Sequence, residues 1–258
     1  MRNLLSLLIF FGLETSSIAK VIGQAVTYKE GSTELEGYLA YDDTKTGKLP
    51  GVLVVHDWMG VGPNVKRRAE QLAQLGYVAF AADVYGKGVH PTDPKAAGET
   101  AGRYKGDRKL FRARVLAGLE ELKKNKSVDN QKLAAIGYCF GGTGVLELAR
   151  SGAPVVGVVS FHGGLESPTP QDAKNIKGKV LVLHGADDPF VPEKDVKGFE
   201  DEMRAAGIDW ELVKYSKAVH AFTIPEAGSN PKTGAAYNAE ADRRSWIAMQ
   251  NFFGEIFK

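Results

Sequence analysis

The fold is decided by residues 137–142, Gly-Tyr-Cys-Phe-Gly-Gly, where two different patterns meet. Residues 133–138, which lead into this stretch, are a continuous apolar run that predicts a strand buried on both faces. An apolar helical pattern begins near Thr143, directly after it. A buried strand that turns at once into a helix is typical of an α/β fold with a mainly parallel sheet.

The rest of the chain repeats this alternation. Apolar runs predict further buried strands at residues 51–56, 77–82, 155–161, 179–184 and 210–215. Helical spacing or helix-ending residues predict helices at 64–75, from 107 to about 122, at 193–206 and at 236–257. Residues 86–106 are polar and rich in glycine, and we assign them no element.

Two alternating stretches near the N-terminus, residues 24–29 and 33–41, are separated by Glu30-Gly31-Ser32 and predict an antiparallel hairpin. The expected architecture is therefore a three-layer sandwich whose mainly parallel sheet carries this hairpin at its edge. No repeat or linker divides residues 21–258, which predicts one domain. In such sheets ligands bind at the carboxyl ends of the strands, so the loops there should hold the chemistry.

Composition narrows the class of partner. The 33 Lys and Arg residues nearly balance the 31 Asp and Glu residues, and the net charge of +2 does not favour nucleic acid or an anionic membrane. A small-molecule partner and a monomeric protein are the expectation. The single cysteine rules out an intramolecular disulfide, a zinc cluster of thiolates and a Cys-x-x-Cys redox pair.

The N-terminus has the pattern of a secretory signal. Arg2 precedes an apolar run from Leu4 to Leu13, too short to span a bilayer, and Ser17-x-Ala19 fits a cleavage site between small residues. Residues 1–20 are therefore interpreted as a signal peptide, which predicts a periplasmic or extracellular protein. The alternative is a cytoplasmic protein with an apolar leader.

The pattern Gly137-x-Cys139-x-Gly141 between strand and helix is typical of a nucleophile elbow, where small neighbours allow a strained turn. The alternative is a buried structural thiol. The same glycines fit neither phosphate motif. A P-loop needs Lys after its last glycine, where Thr143 stands, and the dinucleotide fingerprint meets Glu147 where a small residue belongs. No cofactor is expected.

A nucleophile in this fold is followed along the chain by an acid and then a histidine. His220 is the one histidine that lies beyond the Asp187-Asp188 pair. Asp188 is preferred over Asp187 because Pro189 favours an extended backbone just past the strand end. The alternative for His220 is an exposed loop histidine. His56 and His184 end strands and His162 begins a loop, and all three are interpreted as hydrogen-bonded walls of the site. No metal-ligand spacing emerges from the sequence.

On these motifs the chain resembles the dienelactone hydrolase family of α/β hydrolases. The resemblance runs from about residue 24 to the C-terminus, and five segments carry it: HDWMG at 56–60, DVY at 83–85, GYCFGG at 137–142, HGADDPFVP at 184–192 and HAF at 220–222. It implies the α/β-hydrolase sandwich, a cysteine nucleophile at Cys139, a thioester acyl-enzyme and a carboxylic ester or lactone as substrate.

The resemblance also implies further site residues. The oxyanion hole falls on the backbone N–H groups of Trp58 and Phe140. Asp57 stands where the family has a thiol-gating Glu, one methylene longer. Substrate contacts are expected from five residues: Tyr85, Lys87, His162, Phe222 and Ile224.

Two of these positions bear on substrate charge. Lys87 and Ile224 replace the two arginines with which dienelactone-cleaving members bind the substrate carboxylate. A single ammonium beside an apolar side chain predicts weak binding of anionic lactones and a preference for neutral esters.

Two other functions compete with hydrolysis. One is a non-catalytic α/β-hydrolase scaffold that binds a small ligand or a protein partner, although such a protein has no need of Cys139, Asp188 and His220 in this order. The other makes Cys139 a peroxide sensor, which does not call for the acid and the histidine.

Overall fold

The computed structural model describes residues 20–258, so the predicted signal segment falls, except for Lys20, outside the described residues. Eight strands form one sheet in the order β1-β2-β4-β3-β5-β6-β7-β8. Their bounds are β1 Val21–Glu30, β2 Thr33–Asp42, β3 Leu49–Val55, β4 Val78–Ala82, β5 Val128–Tyr138, β6 Gly157–Phe161, β7 Lys179–Gly185 and β8 Trp210–Tyr215.

The sheet has the predicted mixture of directions. Strands β3 to β8 pair in parallel, with β3 between β4 and β5. The hairpin of β1 and β2 is antiparallel and joins the sheet through an antiparallel pairing of β2 with β4. The expectation of an α/β-hydrolase sandwich with an antiparallel edge hairpin is thereby confirmed.

Helices cover both faces of the sheet. Their bounds are α1 Pro63–Gln74, α2 Pro94–Gly106, α3 Arg108–Lys123, α4 Phe140–Arg150, α5 Glu193–Ala206 and α6 Ala239–Ile256. One core lies between the sheet and α2 to α5, and the other between the sheet and α1 and α6. In β3, Leu53 and Val55 enter the first core while Val52 and Val54 enter the second, as the strand period of two requires. Three short 3₁₀ turns complete the described chain: Pro170–Asn175, Pro225–Ala227 and Pro231–Thr233.

One helix differs from the expectation. Residues 94–106, to which the sequence patterns assigned no element, form α2, and the Asp93 side chain caps it by accepting the N–H of Ala96. Only three of its residues are buried, Ala97, Ala101 and Tyr104. A helix that buries so little lacks the apolar stripe by which helices are recognised in sequence.

The helix after the elbow, α4, is buried along its whole length. Two charged groups inside it are paired rather than isolated: the Arg150 guanidinium donates to Glu147 at 3.0 Å and to Glu202 at 2.7 Å. Because removing one partner from such a buried pair leaves an uncompensated charge, this network ties α4 to α5 in one position.

Candidate active site

Cys139 occupies the sharp turn between β5 and α4, with φ of 54° and ψ of −114°. Glycines on both sides allow this geometry: a Cβ on Gly137 would lie 2.0 Å from the carbonyl oxygen of Gly141, and one on Gly141 would lie 2.2 Å from that of Val55. The Cys139 N–H donates to the carbonyl of Phe161 at 3.0 Å. A strained, half-buried cysteine at the start of a helix is the geometry of a nucleophile elbow.

His220 connects the thiol to a carboxylate. Its Nε2 lies 3.0 Å from the Cys139 Sγ, and its Nδ1 lies 2.8 Å from the Asp188 Oδ2. The other oxygen of Asp188 accepts the Phe190 N–H at 2.9 Å, which fixes the carboxylate plane. Asp187 is exposed and makes no side-chain hydrogen bond to the residues described. The structure thus brings together the three residues selected from chain order, with Asp188 rather than Asp187 facing the imidazole.

The surroundings of His220 favour its charged form. Burial alone lowers the pKa of His220, but the negative charge of Cys139 and the hydrogen bond to Asp188 outweigh it and raise the pKa to about 10. The positive charge on this imidazole and the free N–H groups at the N-terminus of α4 both attract negative charge at the turn between β5 and α4.

The backbone N–H groups of Trp58 and Phe140 are the candidate donors of an oxyanion hole. Trp58 follows β3, and Phe140 is the first residue of α4. Both residues line the cleft over Cys139, and neither N–H has an acceptor within residues 20–258. Free N–H donors from these two positions are what an oxyanion hole requires.

The loop that carries Trp58 is held from behind. The Tyr85 hydroxyl donates to the Trp58 carbonyl at 3.0 Å. His56 accepts the N–H of Val84 at Nε2, at 3.2 Å, so its Nδ1 carries the proton and donates to the carbonyl of Asp57 at 2.6 Å. Tyr85 and His56 therefore hold this loop from behind, and neither lines the cleft over Cys139. The expected contact of Tyr85 with substrate stays a prediction.

The Asp57 side chain is bound by its own loop. Its carboxylate accepts the N–H of Met59 at 2.8 Å and caps the loop. It does not line the cleft, and burial raises its pKa. The expected gating role of Asp57 stays a prediction, and in this structure the short side chain closes back on its own loop.

His162 and Phe222 lie beneath the site. The His162 Nδ1 accepts the Cys139 N–H at 3.1 Å, and its Nε2 donates to the Thr223 hydroxyl at 2.8 Å. Burial, with the charge of His220 adding to it, lowers the pKa of His162 well below its ordinary value, so this imidazole stays neutral. Phe222 is fully buried and packs its ring against His162. Both residues support the elbow and the His220 loop, and their expected contact with substrate stays a prediction.

Lys87 and Ile224 lie off the cleft. The Lys87 ammonium is 2.9 Å from the carboxylate of Glu34 and 3.8 Å from that of Glu36, both on β2. Ile224 is half-buried and absent from the cleft wall. Neither residue lines the cleft over Cys139, and the expectation about substrate charge that rests on them stays a prediction.

The cleft over the sulfur has a volume of about 240 Å³. Trp58 and Phe190 form an exposed aromatic rim, and the Phe190 ring packs edge-on against His220. Another part of the cleft wall is a face of α2 that ends in Lys105. Reasoning from sequence missed Lys105 because it lies on the helix that the patterns did not identify.

The described residues offer no set of ligands for a metal ion. Across residues 20–258, no three His, Cys, Asp or Glu side chains are grouped so as to hold a metal ion. The same residues contain no helix of the length and apolarity needed to cross a bilayer.

Comparison with known proteins agrees with the fold. The model of the dienelactone hydrolase family matches residues 35–257. A solved structure named m3DLH is 41% identical, with a TM-score of 0.89, and the alignment covers 92% of this chain and 99% of that one. A dienelactone hydrolase-like promiscuous phosphotriesterase, P91, from metagenomic libraries is 43% identical, with a TM-score of 0.87 and the same coverage. Protein usf of Aquifex pyrophilus is 28% identical over 91% of this chain and 99% of its own length.

Proposed function

Because the chain belongs to the dienelactone hydrolase family, we propose that it hydrolyses a carboxylic ester or lactone through a Cys139 acyl-enzyme, with His220 as base and Asp188 as orienting acid. The observation that carries this proposal is the continuous contact from sulfur to imidazole to carboxylate, at 3.0 and 2.8 Å. These distances lie within reach of proton transfer and hydrogen bonding.

In the acylation step the Cys139 thiolate attacks the carbonyl carbon, and the carbonyl oxygen becomes an oxyanion between the N–H groups of Trp58 and Phe140. As the tetrahedral intermediate collapses, the bond to the leaving oxygen breaks and the His220 imidazolium gives that oxygen its proton. The alcohol leaves, or in a lactone stays attached as a hydroxyl, and the acyl group remains on sulfur as a thioester.

Deacylation needs the opposite role from His220. Acylation removes the negative charge of Cys139, which is the strongest of the influences that raise the pKa of His220. The imidazole then remains neutral more readily and takes a proton from the attacking water. The water oxygen bonds to the carbonyl carbon, and as the tetrahedral intermediate collapses the bond from that carbon to sulfur breaks. The carboxylic acid leaves, and the thiolate and the imidazolium are restored. The Asp188 carboxylate accepts a hydrogen bond from the Nδ1–H of His220 throughout, so that Nε2 points toward the reacting atoms.

The test is ester hydrolysis by wild type and by Cys139→Ala and His220→Ala, with p-nitrophenyl acetate as substrate. Each variant should lose roughly a thousandfold or more in kcat, because the two residues act as one unit. Intact-mass measurement with peptide mapping should find an acetyl group on Cys139 of the wild type. Comparable turnover by either variant, or an acetyl group elsewhere in the chain alone, contradicts the mechanism.

The same comparison separates the competing functions. A non-catalytic scaffold predicts no turnover by the wild type, and a peroxide sensor predicts oxidation of Cys139 without ester turnover. The likeness to P91 adds one further substrate to the assay, a neutral aryl phosphotriester. If this activity is present, it should also be lost in Cys139→Ala.

A further inference from the structure

The nucleophile and the base follow strands that are not neighbours in the sheet. Cys139 follows β5 and His220 lies in the loop after β8, while β6 and β7 lie between these two strands. Since adjacent strands are about 4.8 Å apart, β5 and β8 are separated by roughly 14 Å. The sheet alone therefore does not bring the His220 Nε2 to 3.0 Å from the sulfur, and the loop after β8 needs a contact of its own.

His162 contacts both segments. It follows β6, and its backbone N–H donates to the Leu183 carbonyl of β7 at 2.8 Å, which anchors it to the sheet. Its Nδ1 accepts the Cys139 N–H at 3.1 Å, and its Nε2 lies 2.8 Å from the hydroxyl of Thr223, three residues after His220. The rings of His162 and His220 also pack edge to face, with centroids 5.4 Å apart. One imidazole thus joins the turn of the nucleophile to the loop of the base.

Only a neutral imidazole in one tautomer makes both bonds. Because the Cys139 N–H can only donate, the His162 Nδ1 carries no proton, and the proton on Nε2 is donated to Thr223. Burial, to which the charge of His220 adds, lowers the pKa of His162 well below its ordinary value and keeps the ring neutral. Thr223 is fully buried, and its carbonyl accepts a hydrogen bond from the Arg68 guanidinium at 3.0 Å. The far end of the connection is therefore fixed as well.

Folding by itself does not require a polar ring at this position. The Cys139 N–H also donates to the Phe161 carbonyl at 3.0 Å, so it has an acceptor without His162. The His162 ring lies beside the rings of Tyr138 and Phe222, where a phenyl ring would pack at a smaller desolvation cost. The two nitrogens of His162 therefore need another explanation than satisfying the turn.

The backbone around this imidazole is strained. Of the four residues other than glycine that have positive φ within residues 20–258, three lie here: Cys139 at 54°, His162 at 40° and Ala221, next to His220, at 58°. Such conformations cost free energy and persist only where the surrounding structure enforces them, typically at functional sites. The strain indicates that this junction serves the geometry of the reacting pair.

We propose that His162 is a positioning residue for the reaction: through its bonds to the Cys139 N–H and to Thr223, it holds nucleophile and base at the separation that proton transfer requires. This role rests on the proposed ester hydrolysis and adds to it a residue that does not line the cleft over the sulfur.

The first test is the hydrolysis of p-nitrophenyl acetate by variants at both ends of the connection. His162→Phe keeps a ring but removes both bonds, and kcat should fall about thirtyfold to hundredfold with KM changed by less than about twofold, because a shift of about 1 Å between reacting groups is this costly. His162→Asn keeps an acceptor near the position of Nδ1 and should recover part of the loss. Thr223→Val removes only the far bond and should lower kcat by about tenfold.

The double variant shows whether the two residues act as one connection. Since Thr223 acts through His162, adding Thr223→Val to His162→Phe should lower kcat by no more than about a further twofold. Losses that multiply, or a kcat of His162→Phe within about threefold of the wild type, overturn the proposal. If His162→Phe does not fold, the same limits applied to His162→Asn and Thr223→Val decide it.

Val180→Ala is the control for lost stability, because Val180 is fully buried near the start of β7, at the end of that strand away from the site. It should lower the midpoint of denaturant unfolding but leave kcat within about twofold of the wild type. A loss of kcat in Val180→Ala as large as that in His162→Phe would trace the effect to stability and overturn the positioning role.

Alkylation of Cys139 by iodoacetamide measures the positioning without an ester, and the single cysteine of the chain makes the labelled thiol unambiguous. An imidazole held against the sulfur takes the thiol proton and speeds this reaction, so alkylation should be roughly tenfold slower in His220→Ala and similarly slow in His162→Phe. If the wild type cleaves no ester, the proposed function fails and this rate alone decides the role of His162. Equal rates of alkylation in the wild type and in His162→Phe overturn it.

Discussion

At the scale of single residues, the neighbouring carboxylates Asp187 and Asp188 provide a matched pair. Only the Asp188 carboxylate contacts the imidazole of His220, at 2.8 Å. Asp188→Asn should lower kcat by about 10² to 10⁴, because an amide can donate to Nδ1 and hold the wrong tautomer. Asp187→Asn should change kcat by less than about threefold, since its side chain lies in solvent.

Steady-state kinetics of both variants with one aryl ester checks this ranking. A larger loss in Asp187→Asn would move the orienting role to that residue. Equal small losses would mean that His220 needs no carboxylate to keep its tautomer.

Single residues also show which features of the site can be predicted from the sequence and which cannot. The order of Cys139, Asp188 and His220 along the chain can be read without a structure, because the fold delivers each of them at the end of a known strand. The contacts of Lys87 cannot, since they depend on β2, more than forty residues earlier in the chain. The position of Lys87 in the chain places it near the site, but its ion pairs with β2 hold its side chain elsewhere.

At the scale of elements, the contact between α4 and β3 depends on a position without a side chain. A Cβ on Gly141 would lie 2.2 Å from the carbonyl oxygen of Val55 and 2.5 Å from that of His56. Both atoms are backbone and cannot move without displacing the loop that carries Trp58. Gly141→Ala should therefore lower the free energy of unfolding by about 1–3 kcal/mol.

Gly198→Ala in α5 is the control, because nothing lies within 4 Å of its added Cβ. In that helix the change should leave stability equal or raise it by up to about 1 kcal/mol. Denaturant unfolding of both variants measures the difference, and equal midpoints would contradict a close contact at Gly141.

The predictability of the helices follows from what they cover. The bounds of α5 were predicted at both ends, because its apolar face packs on the sheet and gives a clear period. The helix α2 was missed because its inner face borders open space in the cleft, where Gly98 and Gly102 replace large apolar residues. A helix that shapes a binding site therefore carries a weaker signal than one that builds a core.

At the scale of the whole molecule, the export of the chain remains our proposal from residues 1–20. The first described strand begins at Val21, so cleavage near residue 20 would leave every strand of the sheet intact. We expect the mature protein to begin near residue 20, as the short apolar run and the small residues at 17 and 19 indicate. N-terminal sequencing of the native protein checks this, and retention of Met1 would contradict it.

Within residues 20–258, the order of the sheet leaves β1 and β8 as its two borders, each with one row of backbone donors and acceptors facing outward. Such borders are templates on which another extended chain can add itself and begin a fibril. Lys29 on β1 and Glu211 and Lys214 on β8 are exposed there. A strand from another molecule would have to bring its own side chains against these charges and strip their water. The charged side chains on β1 and β8 should therefore oppose aggregation through the edges of the sheet.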